Sequence, residues 1–248
     1  MIRLIVAFTT LIFIKTLKRT TNLELSIVRP DRIGHLVGEI DIFIRKKSIR
    51  SAPRNLIIVT GNPCNKEVVE LFRKNTKIIT SGLLYRLLHI MSRYDFAKKS
   101  LYSLHMTTRE YEIYEKCPNI VSLSDYDKEK GFVMLNELYG ITKKDWWVCF
   151  HSRDSNYLHS HQSQDFSYHN FRDFEIEDML LAMEEVTKRG GYAIRFGSAP
   201  KKRIISSNKK IIDYSFNGQS EFLDLFLCSE AKFFIGNTSG PFHIPKLF

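Results

Sequence analysis

Ala231-Lys-Phe-Phe-Ile-Gly-Asn-Thr-Ser-Gly-Pro-Phe-His-Ile-Pro245 decides how the chain is read. A short apolar run, Ala231–Ile235, ends in the small residues Gly236 to Gly240, and Pro241 then suits the first turn of a helix. A buried strand that delivers a glycine-rich turn and a helix start is half of a parallel βα unit. The same grammar repeats upstream. Trp146–Phe150, Tyr192–Phe196 and Lys210–Tyr214 predict strands. Phe174–Lys188 predicts an amphipathic helix with Ile176, Met179, Leu180, Met183 and Val186 on one side, stopped by Gly190-Gly191. Gln219–Cys228 predicts another, with Phe222, Leu225 and Phe226 facing inward. The chain stops at Phe248 where the last helix should be running, so a C-terminal strand–helix portion is expected to be missing.

The first half repeats the alternation. Leu25–Val28, Asn55–Thr60 and Lys77–Thr80 predict strands. Ile33, Leu36, Val37, Ile40, Phe43 and Ile44 recur at helical spacing, and Asn65–Lys74 and Gly82–Leu101 read as further helices. Residues 104–127 read as irregular and Gly131–Tyr139 as helical, with a junction near 140–145. The expected architecture is α/β: an N-terminal apolar and basic segment (1–22) and two Rossmann-like parallel-sheet domains (23–142 and an incomplete 143–248).

Composition narrows the class. Of 248 residues, 44% are hydrophobic, enough for a real core and too many for a disordered chain. The net charge of +10 suits a polyanionic partner. The basic runs, Arg45-Lys46-Lys47 among them, are short and read as solvated. No aromatic RNA-recognition motif is present, which argues against nucleic acid. Cys64, Cys117, Cys149 and Cys228 form no CxxC pair, so neither zinc nor a disulfide framework is expected, and a cytoplasmic setting fits. Leu4–Ile14 is an apolar run bracketed by Arg3 and Lys15, too short to span a bilayer. It reads as a membrane-surface or buried helix, possible peripheral contact with the inner membrane, with a clipped signal anchor as the alternative.

The chemistry-bearing residues fall at strand ends, where parallel sheets bind ligands. In Gly236–His243, backbone N–H groups at a helix start and the hydroxyls of Thr238 and Ser239 suit a phosphate. His151-Ser152-Arg153-Asp154 follows one strand and Arg195-Phe196-Gly197 the next. If those strands are adjacent, Arg153 and Arg195 converge on one crevice, with Asp154 orienting Arg153 or acting as a base. Asp213 could reach a base or ribose, while Asp224 pairs locally. Asp31 and His35, in the Pro30–His35 loop after the first strand, are the candidate catalytic bases; a helix cap is the structural alternative for Asp31. His159, His161, Asp165 and His169 match no strong metal spacing and read as a flexible acceptor loop. Asp125-Tyr126-Asp127 lacks the strand context of a metal-binding DxD and reads as a turn.

The run HSRD, HNFRD, GGYAIRFG, IIDYS and FLDLFLCSEAKFFIGNTSGPFHIP resembles an uncharacterised bacterial glycosyltransferase family of the GT-B type, which accompanies surface-polysaccharide genes. The resemblance covers roughly residues 27–248, is densest after 146, and includes RIGHL at 32–36. SGPFHIP also resembles the donor loop of heptosyltransferases, and HSRD the arginine motif of fucosyltransferases. These likenesses imply a nucleotide-diphosphate sugar as donor substrate and no cofactor or metal. They put Arg153, Arg195, Ser239 and Gly240 on the diphosphate; His151, Asp154, Gly197, Asp213, Asn237, Thr238, Pro241 and His243 complete the expected donor site, and His169, Asn170 and Arg172 the expected acceptor loop. The expected activity is inverting, metal-independent transfer to a glycan or lipid-linked acceptor, with His35 or Asp31 as base. A nucleotide-sugar epimerase or hydrolase is the enzymatic alternative; a basic nucleotide- or membrane-binding module is the non-catalytic one.

Overall fold

The computed structural model describes residues 1–106, 110–117, 119–154, 156, 165, 167–198 and 200–248. The chain divides into two compact units, Met1–Val121 and Ser122–Phe248.

The first unit holds helix α1 (Ile2–Thr21), β1 (Glu24–Ile27), α2 (Ile33–Ser48), β2 (Leu56–Thr60), α3 (Lys66–Arg73), β3 (Lys77–Thr80), α4 (Gly82–Ser92), α5 (Asp95–Lys98) and α6 (Glu110–Lys116). Its strands are parallel in the order β1-β2-β3, as the βα alternation demands. Asn65 and Ser81 cap α3 and α4 by accepting from Val68 N and Leu84 N at 2.9 and 3.2 Å. Ala7, Leu11 and Ile14 of α1 are buried with Leu25, Val59, Leu88, Met91 and Ala97.

The helical spacing in α2 is borne out: Leu36, Val37, Ile40, Phe43 and Ile44 are all buried. Arg45 departs from the solvated run expected of it and is fully buried. Its Nε donates to both Asp41 carboxylate oxygens at 2.9 Å, its guanidinium lies 4.2 Å from the Tyr114 ring centre, and its Nη1 donates to the Cys117 carbonyl. Tyr114 closes the set by donating to Asp41 at 2.8 Å. Lys46 and Lys47 do not share this partner set, because Asp41 stands one helical turn before Arg45 alone.

The second unit holds α7 (Asp125–Tyr139), β4 (Trp147–His151), 3₁₀ turns at Ser167–Arg172 and Ile176–Met179, α8 (Leu180–Lys188), β5 (Tyr192–Arg195), β6 (Ile211–Ile212), α9 (Glu221–Glu230), β7 (Phe233–Gly236), and 3₁₀ turns at Pro241–His243 and Pro245–Leu247. The strands are again parallel, in the order β6-β5-β4-β7. Val148, Phe150 and Ala193 pack on Ile176, Met183 and Val186. Trp147 and Phe226 pack with Phe132 of α7, the Phe132 and Phe226 rings meeting edge to face at 5.1 Å.

That contact moves the junction. The boundary expected near 140–145 falls at 121/122, because α7 packs on α9 within the second unit. Gly131 is the reason the two can meet: a Cβ there would lie 2.2 Å from the Phe226 ring. Asp125-Tyr126-Asp127 opens α7 rather than forming a turn. Ser124 accepts from Asp127 N at 3.1 Å while the Asp127 carboxylate reaches back to Ser124, a reciprocal cap.

Candidate functional site

The carboxyl end of the second sheet gathers His151, Arg153, Arg172 and Asn237. His151 ends β4 with its ring among Phe196 and Phe234. The Phe196 carbonyl can only accept, so Nδ1, 2.9 Å away, carries the hydrogen. Burial, the largest influence, pulls the pKa down from 6.5 to about 4; the Phe196 bond opposes this, and Arg195 adds to the lowering. The ring is neutral at physiological pH and adds no positive charge to the site. Its Nε2 lone pair is buried with no hydrogen-bond partner among the described residues. Gly197, at φ 131°, is needed beside it, since a Cβ there would meet Nδ1 at 2.8 Å.

Arg153 sits two residues on. Its backbone N donates to Asn237 Oδ1 at 2.8 Å, its carbonyl accepts from Phe174 N at 3.0 Å, and Asn237 Nδ2 donates to the Arg172 carbonyl. Three loops distant in sequence are thereby fastened together. The Arg153 guanidinium is buried; Nη1 pairs with Asp173, and Nη2 has no acceptor among the described residues. Arg172 Nε is likewise buried without an acceptor among them. Burial lowers the pKa of Arg153, and the Arg172 charge lowers it further. Ser239, on the loop that begins with Asn237, also has a buried hydroxyl without a partner among the described residues. Two guanidiniums repel each other here, with donors unfilled. An anion would supply the missing acceptors and relieve the repulsion.

Several expected roles change. Asp154 does not orient Arg153; its oxygens accept from Asn156 N and Lys201 N at 2.9 and 2.8 Å, and Asp173 takes the Arg153 pairing. Arg195 is in register with Phe150, on the face that packs against α8, and does not share Arg153's partners. Its Nη1 donates to the Lys202 carbonyl at 2.6 Å and lies 3.6 Å from Asp213, which also accepts from Ile204 N at 2.8 Å. Arg195 and Asp213 therefore fasten the loop after β5. Arg172, expected on the acceptor side, instead stands within electrostatic reach of Arg153.

Pro241–His243 is a single 3₁₀ turn rather than the start of a long helix, so no helix dipole supports a phosphate there. Gly240 has an ordinary φ of −59°. Thr238 is exposed, and His243 is half-buried beside Phe242. A Cβ at Gly236 would lie 2.9 Å from the His151 carbonyl, so strand packing already demands that glycine. Asn170 is exposed. His159, His161 and the side chain of His169 lie outside the described residues. Among the described residues no three His, Cys, Asp or Glu gather as metal ligands. Asp224 pairs locally, accepting from the Tyr214 hydroxyl at 2.9 Å; burial raises its carboxyl from 3.8 to about 7.

In the first unit, Asp31 is chelated by Arg29 at 2.9 and 3.3 Å and does not cap α2, whose N-cap is Arg32. His35 lies in the first turn of α2, not in a loop. Its Nδ1 is 2.7 Å from Glu39 Oε1, one turn on. The carboxylate accepts a hydrogen bond from Nδ1–H, which in the neutral tautomer leaves on Nε2 the lone pair that a general base needs. Tyr85 and His89 stack at 5.7 Å on α4. The Tyr85 hydroxyl pKa is raised by burial first and by Asp31 next, which places that ring beside the Asp31 loop. Glu39 and Asp173 are the two partners that residue-by-residue reading missed. The i,i+4 spacing on a helix signalled the first; HNFRD contained the second.

No known family profile matches the chain, and no curated protein matches it in sequence. Its fold is similar to that of the E. coli ADP-heptose LPS heptosyltransferase II (TM-score 0.59, 10% identity, 91% of this chain and 82% of that one). The chain is therefore α/β with parallel sheets and shares its fold with a glycosyltransferase.

Proposed function

We propose that this chain is a cytoplasmic glycosyltransferase that moves a sugar from a nucleotide-diphosphate donor to a glycan or lipid-linked acceptor, with inversion and without a metal. One observation carries the reading: Arg153 and Arg172, within electrostatic reach of each other at a strand's carboxyl end, have buried donors unfilled among the described residues, in a fold shared with a heptosyltransferase. In the proposed step the acceptor hydroxyl oxygen attacks the anomeric carbon and the bond to the diphosphate breaks. The hydroxyl proton must pass to a general base, and the His35–Glu39 pair carries the chemistry of one. The electron pair leaves with the diphosphate, whose growing charge Arg153 and Arg172 stabilise.

The test is a thermal-shift panel of nucleoside diphosphates, with and without EDTA, on the wild type and on Arg172→Ala. A ligand that binds the native state raises its melting temperature. The reading expects one diphosphate to stabilise the wild type, to survive EDTA and to lose its effect in Arg172→Ala. If no diphosphate shifts the folded wild type, or Arg172→Ala responds equally, the donor site is wrong. Product analysis with the matching nucleotide sugar then separates transfer from epimer or free sugar formed without an acceptor.

A further inference from the structure

Helix α1 carries two apolar faces, roughly a third of a turn apart. Ala7, Leu11 and Ile14 pack into the first unit's core. Ile5, Phe8 and Ile12 repeat at the same three- and four-residue interval on the second face, and each is more than half exposed. Met1, Ile2, Leu4 and Phe13 extend that stripe, all at least half exposed. The core explains the first face and leaves the second uncovered. A contiguous exposed apolar surface of this kind marks an interaction site.

Charge identifies the occupant. No Asp or Glu precedes Glu24, whereas Arg3, Lys15, Lys18 and Arg19 all fall within α1. Lys18 reaches Glu24 at 3.3 Å, while Arg3, Lys15 and Arg19 are exposed. Short α5, which packs beside α1, adds exposed Phe96; its Asp95 is paired with Lys98 at 2.5 Å, and Lys99 follows it exposed. Apolar side chains rimmed by an excess of cations suit an anionic lipid surface, where the hydrocarbon takes the stripe and the headgroups take the charges. A second copy of the chain would set the same cations against one another. Among the described residues no helix is long and apolar enough to cross a membrane.

We propose that α1 docks the protein on an anionic bilayer, lying in the interface with Ile5, Phe8 and Ile12 inserted and Arg3, Lys15 and Arg19 at the headgroups. This docking does not depend on which reaction the chain performs, though it would bring a transferase to lipid-linked acceptors. The test is co-sedimentation of the full chain with phosphatidylcholine vesicles and with mixed phosphatidylcholine–phosphatidylglycerol vesicles, at low and high salt. The wild type is expected to pellet with the anionic vesicles and to be weakened by salt. Ile5→Ser/Phe8→Ser/Ile12→Ser, all at exposed positions, is expected to bind at least tenfold more weakly with an unchanged circular dichroism spectrum. Lys15→Glu/Arg19→Glu is expected to abolish the preference for anionic lipid. Wild type left in the supernatant, or a triple variant that pellets as well as wild type, overturns the proposal. So does a vesicle-free dimer that the triple variant dissociates, which would make the stripe a self-association face. Diphosphate binding by the triple variant is expected to equal wild type, so a failure here is distinct from a failure of the donor site.

Discussion

Arg45, inside a helix of the first unit, and Arg153, in a loop of the second, are both buried, and their surroundings differ in one respect. Arg45 meets a carboxylate with Nε, an aromatic face with its plane and a carbonyl with Nη1. Arg153 meets one carboxylate with Nη1, leaves Nη2 without an acceptor among the described residues and feels the charge of Arg172. A buried cation whose donors are met from within is architecture. A buried cation with an unfilled donor beside a like charge is an incomplete arrangement, which a ligand can complete.

The sharpest way to break this contrast is Arg45→Met. It strands Asp41 in the core, and a loss of about 3–5 kcal/mol is expected for removing one partner of a buried pair. Urea unfolding followed in the first unit measures it. Asp41→Leu/Arg45→Met should recover most of the loss, and a cost of the single change near zero would show that the pair is not structural.

Arg172→Ala should do the opposite. Folding stability is expected to hold or rise slightly, because a like charge beside Arg153 is removed. Diphosphate affinity is expected to fall by about 10- to 100-fold, the equivalent of one charged hydrogen bond of ~1.5–3 kcal/mol. Calorimetric titration checks the affinity; a destabilised protein with intact binding would reverse the assignment of the two arginines.

Two buried titrating groups sharpen the view of the second unit. His151 is depressed from 6.5 to about 4, so its contribution is present above 6.5 and is lost as pH falls toward 4. Asp224 is raised from 3.8 to about 7, so its contribution is full below 3.8 and is lost as pH rises through 7. Between pH 4 and 7 the two oppose and nearly cancel. In Asp224→Asn only the His151 slope remains, and the melting temperature relative to wild type should rise from pH 4 to 7. A flat difference would mean that Asp224 is not buried as described. The smallest effect belongs to an exposed arginine: Arg189→Ala, which removes the surface pair with Glu185, should change stability by less than about 1 kcal/mol.

Strands such as LIIVT at 56–60 and WVCFH at 147–151 were legible because four or five apolar residues bounded by turns allow little else. The αβ alternation then carried the parallel sheets. The last turn was misread because Pro at a first helical position is shared by α and 3₁₀ starts, and local sequence does not separate them. Arg45 was misread because its neighbours Lys46 and Lys47 masked the Asp41 spacing that buries it. At the site, Arg153 was legible as a strand-end arginine. Its pairing with Asp173, twenty positions on, and its nearness to Arg172 are tertiary facts without a local signature.

The Gly131–Phe226 contact also sets an order of events during synthesis. Helix α7 ends at Tyr139 and α9, which covers it, begins at Glu221, roughly 80 residues later. At about 5–20 residues per second the ribosome leaves Phe132 and Leu135 without that cover for on the order of ten seconds. The three strands of the first unit and the helix between β2 and β3 are complete by Thr80. The second unit is thus the late and exposed partner in biogenesis, and the stage at which a holdase chaperone has most to bind.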